Sequence, residues 1–144
     1  MRTGAGWADR VEAGGAPTLL AVAHGTRDAE GVAATEALVT RVRELRPELR
    51  VERCYLDLVA PSLPRALAHL DGEVVVVPLL LGAGYHVHVD IPQALAAVPH
   101  LRARVARALG PHPLLADVLT ERVADDLEVA EDVPVVLAAA RSTD

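Results

Sequence analysis

Apolar residues in this chain fall into short blocks, and the blocks alternate between two kinds of spacing. Residues 18–23 (Thr-Leu-Leu-Ala-Val-Ala) and 73–78 (Glu-Val-Val-Val-Val-Pro) are compact runs bounded by polar or glycine-bearing breaks, and residues 51–56 form a more mixed run. Runs this apolar and β-branched predict strands covered on both faces, as in a parallel sheet. Between them the period changes. Residues 29–46 carry Val32, Val39, Val42 and Leu45 at helical spacing and stop at Pro47. Behind Ser62, which stands in an N-cap position, Leu63, Ala66, Leu67 and Leu70 recur at i, i+3, i+4 and i+7 until Asp71-Gly72 ends the segment.

The third strand should end at Pro78, which has no N–H to give to a ladder. Gly82 and Gly84 then permit sharp turns. Asp90-Ile91-Pro92 opens a helix over residues 91–98, with Asp90 as N-cap and Pro92 in the first turn. Residues 102–109 suit helix or strand by themselves, and the order of elements asks for a strand. Leu114, Leu115, Val118, Leu119, Val123 and Leu127 mark a last amphipathic helix, whose other side (Glu121, Asp125, Asp126, Glu128) is a solvated acidic face.

Four strand–helix units in succession predict an α/β fold: a three-layer parallel sheet of about four strands, helices on both faces and right-handed crossovers. The domain is expected over residues 18–132, behind a loose leader at residues 1–17. Residues 133–144 form either a tail or an extra strand. Pro134-Val135-Val136-Leu137 there echoes Pro17-Thr18-Leu19-Leu20, as if a second repeat were beginning. In such a sheet three loops reach one rim, where open α/β sheets bind ligands. They carry His24, Asp57, and the pair His86 and His88.

Composition narrows the chemistry. With 144 residues the chain can close a core, but aromatics are 2% and there is no Phe, so Val, Leu, Ile and Ala must fill it. A net charge of −6 argues against a general binder of nucleic acid or a membrane surface, which would need a basic face. No apolar run reaches the roughly 20 residues of a membrane span, and the leader lacks the apolar core of a secretory signal; a cytoplasmic location is the default. The lone Cys54 rules out an internal disulfide and cysteine-based zinc motifs, and reads as an inert buried thiol.

Two imidazoles and a carboxylate at one rim can hold a divalent metal, move protons near neutral pH, or both. Plainer readings stand beside this one. His24 can be a structural hydrogen-bonding residue. His86 and His88 alternate and in an extended loop point to opposite sides, so at most one serves a given site. Asp57 can cap a helix or accept loop N–H groups. Arg27 can pair with Asp28 or Glu30. Gly82-Ala83-Gly84 is neither a Walker A loop nor a full dinucleotide fingerprint, so no nucleotide is expected.

Two motifs carry a family resemblance. His24-Gly25-Thr26-Arg27-Asp28 resembles the His-Gly-Ser-Arg motif of the class II chelatases that act on sirohydrochlorin, the CbiX/SirB group, and the stretch from Val77 to Pro92 resembles that family's second motif. The resemblance covers about Thr18 to Leu127, most of the chain, and the two motifs occur in the family's order. The resemblance implies ATP-independent insertion of Co²⁺ or Fe²⁺ into sirohydrochlorin, in cobalamin or sirohaem synthesis, with the metal as substrate. It implies His24 and His86 as the metal-handling and proton-accepting pair. Asp57 stands where the family usually has Glu and would be a third ligand, one methylene shorter. Thr26 replaces Ser and keeps the hydroxyl. Arg27 and the backbone N–H groups of Gly82 and Gly84 would meet the substrate's carboxylates. Because one such unit gives one wall of a cleft, a homodimer is expected. The alternative is a carrier of metal or tetrapyrrole using the same rim. A histidine phosphatase is disfavoured, since those enzymes have Arg before the histidine, where this chain has Ala23.

Overall fold

The structure, a computed structural model, describes residues 16–82, 84–126 and 136. Four strands, β1 (Thr18–Ala23), β2 (Val51–Tyr55), β3 (Glu73–Pro78) and β4 (Arg102–Val105), form one parallel sheet in the order β2-β1-β3-β4. Its helices are α1 (Ala29–Leu45), α2 (Leu63–Leu67), α3 (Ile91–Ala96) and α4 (Pro113–Asp126), and a π-helical turn, His86–Asp90, runs directly into α3. The predicted α/β architecture is therefore present, with four parallel strands and helices on both faces. The expected leader, apart from residues 16 and 17, and the extra strand at residues 133–144, apart from Val136, lie outside the described residues. Among the described residues no helix is long and apolar enough to cross a membrane.

The register explains the core. Leu20 pairs beside Val76 and Val22 beside Cys54, so alternate side chains from three strands share one face. There Leu20, Val22, Cys54, Val74 and Val76 meet Leu63 and Leu67 of α2 and Ile91 of α3, all sealed from solvent. The opposite face is thinner: Ala21 and Val51 meet Val39 of α1, with Leu19, Val42, Leu49 and Leu79 half-buried around them. Burial pushes the Cys54 thiol up to about 12, which keeps it protonated and inert.

Pro78 closes β3 as its missing N–H requires, and the next amide, that of Leu79, donates to Val22 O at 2.8 Å. Residues 102–109 resolve into the short β4, an edge strand whose Arg102, Arg104 and Val105 are exposed; such charge suits an edge. Three local expectations need correction. Ser62 sits at the N-cap of α2 but makes no side-chain capping bond. Asp90 is itself helical (φ −66°, ψ −45°) and caps nothing. His86 and His88 lie on a π-helical turn and not in an extended loop, so the alternation argument does not apply to them.

Candidate active site

The loop after β1 is built by its own side chains. Thr26 Oγ1 accepts from the Asp28 amide at 3.1 Å, and Asp28 Oδ1 accepts from the Glu30 amide at 3.1 Å, capping α1. The methyl of Thr26 would lie 2.8 Å from a Cβ at position 31, so Gly31 makes room for threonine in place of serine. Gly25 has φ +98°, and a Cβ there would sit 1.9 Å from the Asp57 carbonyl oxygen. Only glycine lets the loop after β2 cross so closely. The crossing is tied by the Asp57 amide, which donates to His24 O at 3.0 Å.

His24 thus leaves the end of a central strand and is exposed. His86 reaches it from the loop after β3. Their rings stand edge to face, centroids 4.9 Å apart and planes at 81°. His86 Nδ1 lies 2.5 Å from Asp90 Oδ2, while His24 Nδ1 lies 3.3 Å from its neighbour's carbonyl, Gly25 O. The turn that presents His86 is anchored by Ile91, fully buried one residue past Asp90; that burial contributes roughly 1.5–3 kcal/mol. His88 is exposed.

The other expected residues are placed differently. Asp57 is exposed, and its Oδ1 accepts from the Leu58 amide at 2.7 Å, so the carboxylate serves its own loop. Leu58 there has φ +63°, a left-handed conformation that costs a non-glycine residue about 1–2 kcal/mol. Among the described residues no three His, Cys, Asp or Glu side chains are grouped to hold a metal. Arg27 is exposed and pairs with neither Asp28 nor Glu30. Gly82 is exposed, with open space where a side chain would project. The Gly84 carbonyl accepts from the Val87 and His88 amides, starting the turn. Asp90 is the participant that motif and spacing missed. Its i, i+4 relation to His86 was the available signal, visible only once the segment is taken as helical.

The fold is a parallel α/β sheet whose two central strands lead into loops that bring two imidazoles together at the C-terminal rim. The chain matches the CbiX family model over residues 18–126, and it belongs to that family. It is 26% identical over 120 residues to a sirohydrochlorin cobaltochelatase of Methanococcoides burtonii, covering 72% of this chain and 92% of the relative. It is 31% identical over 118 residues to a chloroplastic sirohydrochlorin ferrochelatase of Arabidopsis thaliana, covering 76% of this chain and 52% of that one, so it spans about half of the plant protein. Among solved structures, a CbiX protein described as putatively in cobalamin biosynthesis, from Marinobacter aquaeolei, superposes with a TM-score of 0.59 at 28% identity, over 77% of this chain and 94% of the other.

Proposed function

We propose that this chain is a sirohydrochlorin chelatase, which takes a divalent metal ion, Co²⁺ or Fe²⁺, and the free tetrapyrrole as substrates. Family membership supports the reaction class, and the observation that carries the site is the edge-to-face pair of His24 and His86 at 4.9 Å. In the balanced reaction the macrocycle gives up two pyrrole protons and gains one M²⁺. Two neutral imidazoles can carry the ion to the ring and take up the released protons, and the absence of thiolate at the rim avoids a grip too tight for release. Asp57, whose Oδ1 accepts from the Leu58 amide, keeps Oδ2 as a further oxygen donor for the ion. Arg27, unpaired among the described residues, is our candidate for a peripheral carboxylate of the substrate, and the backbone amides of Gly82 and Gly84 are further donors to it.

A macrocycle needs a second wall, and we infer that a second copy of the chain supplies it. Leu58, Leu81 and Tyr85, all exposed on the rim loops, support this reading. Light scattering at assay concentration checks it: a dimer is expected, and a fully active monomer contradicts it. The chelatase reading is tested by anaerobic absorbance spectroscopy of purified protein with sirohydrochlorin and Co²⁺, Fe²⁺ or Ni²⁺ in turn. Conversion well above the buffer rate, over many equivalents, is expected with Co²⁺ or Fe²⁺. Conversion at the buffer rate with every metal, or conversion that stops at one equivalent as for a carrier, overturns it.

A further inference from the structure

Asp90 occupies the residue before α3, where a carboxylate normally accepts helix N–H groups, yet it accepts none and its backbone is already helical. Its carboxylate is turned back one π-helical turn onto His86, with Oδ2 at 2.5 Å from Nδ1. Both side chains are partly sheltered, at 35% and 39% exposure. A carboxylate is an acceptor only, so the Nδ1 it faces carries the hydrogen. The other ring nitrogen, Nε2, is then left with its lone pair. Such a partner fixes the tautomer and the ring plane of a metal-handling histidine and raises its donor strength.

The two histidines are consequently unequal. His86 is held by a charged partner on a turn that Ile91 anchors in the sealed core. Among the described residues, the hydrogen-bonding contact of the His24 ring is a 3.3 Å approach to the neighbouring carbonyl. We propose that Asp90 is a positioning residue of this site: it locks His86 in the Nδ1–H tautomer and aims its bare Nε2 at the space shared with His24. The role in catalysis rests on the chelatase reading; the tautomer lock does not.

The test uses the full chain labelled with ¹⁵N at histidine, wild type beside Asp90→Ala and Asp90→Asn. At alkaline pH, long-range ¹H–¹⁵N correlation spectra report which nitrogen of His86 is protonated. Wild type is expected to show Nδ1–H alone. Asp90→Ala should bring in the Nε2–H form that an imidazole without a partner favours. Asp90→Asn, whose amide oxygen can still accept from Nδ1, should keep more of the Nδ1–H form and so separates the lock from any loss of folding. In the assay, Asp90→Ala should lower kcat by about 10- to 100-fold, the usual cost of removing a histidine's outer partner, and leave KM for sirohydrochlorin within about twofold. A wild-type His86 protonated at Nε2, or an unchanged tautomer in Asp90→Ala, overturns the lock. A kcat unchanged in Asp90→Ala overturns its catalytic use. Absence of turnover in the wild type would instead contradict the chelatase reading and leave the tautomer result standing.

Discussion

One face of the sheet is closed and the other is thin. On the closed face Leu20, Val22, Val74 and Val76 are all at 0% exposure under α2 and α3, and Ile91 of α3 joins them. On the thin face α1 buries Val39 against Ala21 and Val51, while its own Leu38 and Leu45 stay 43% and 60% exposed. The difference teaches where this fold spends its packing. The closed face carries the element that must not move, the π-helical turn bearing His86, because α3 continues that turn without a break. His24 needs less help, since it directly follows β1, a strand hydrogen-bonded on both sides.

The largest test of this contrast is Ile91→Ala. Removing a fully buried isoleucine side chain should cost about 2–5 kcal/mol, measured by urea unfolding, and should lower turnover as well by loosening the His86 turn. A loss below about 1 kcal/mol would mean that the closed face does not brace the site. A smaller effect appears with pH. The folded state holds the Cys54 thiol proton up to about 12, against an ordinary value of 9.0, so the unfolded chain releases that proton first. Stability from this group is complete below pH 9 and is lost as pH rises from 9 toward 12, by up to about 1.4 kcal/mol per unit. In Cys54→Ala the unfolding midpoint should fall less steeply above pH 9 than in wild type; parallel slopes would place the thiol in contact with solvent. The smallest effect belongs to the thin face: Leu38→Ala should change stability by no more than about 0.5 kcal/mol, and a loss like that of Ile91→Ala would erase the contrast.

Much of this was legible beforehand because the signals are local. Four valines before Pro78 define a buried strand and its end. Spacing alone placed Leu63 and Leu67 on one buried helix face, and Leu70 is buried as well, though α2 ends at Leu67 before it. The convergence of His24 and His86 followed from strand order once the sheet was taken as parallel. What stayed hidden depended on the path of short irregular segments. A π-helical turn has no sequence period that five residues can display, so Asp90 looked like a cap and His88 looked like the alternate of His86. Asp57 accepts its own loop's N–H through Oδ1, beside a Leu58 held at φ +63°, a local arrangement that its sequence surroundings do not announce. The tight fit between Thr26 and Gly31 could not be read from either residue alone, since it exists only when the loop folds back on the first turn of α1.

The central claim is that His24 and His86 work as one unit. A double-mutant cycle in the anaerobic chelation assay tests it most directly. His24→Ala and His86→Ala should each reduce turnover by at least about 10²-fold, and the double variant should be little worse than either single one, as for groups that share one function. Losses that multiply in the double variant, or a single variant that keeps nearly wild-type turnover, would contradict the account.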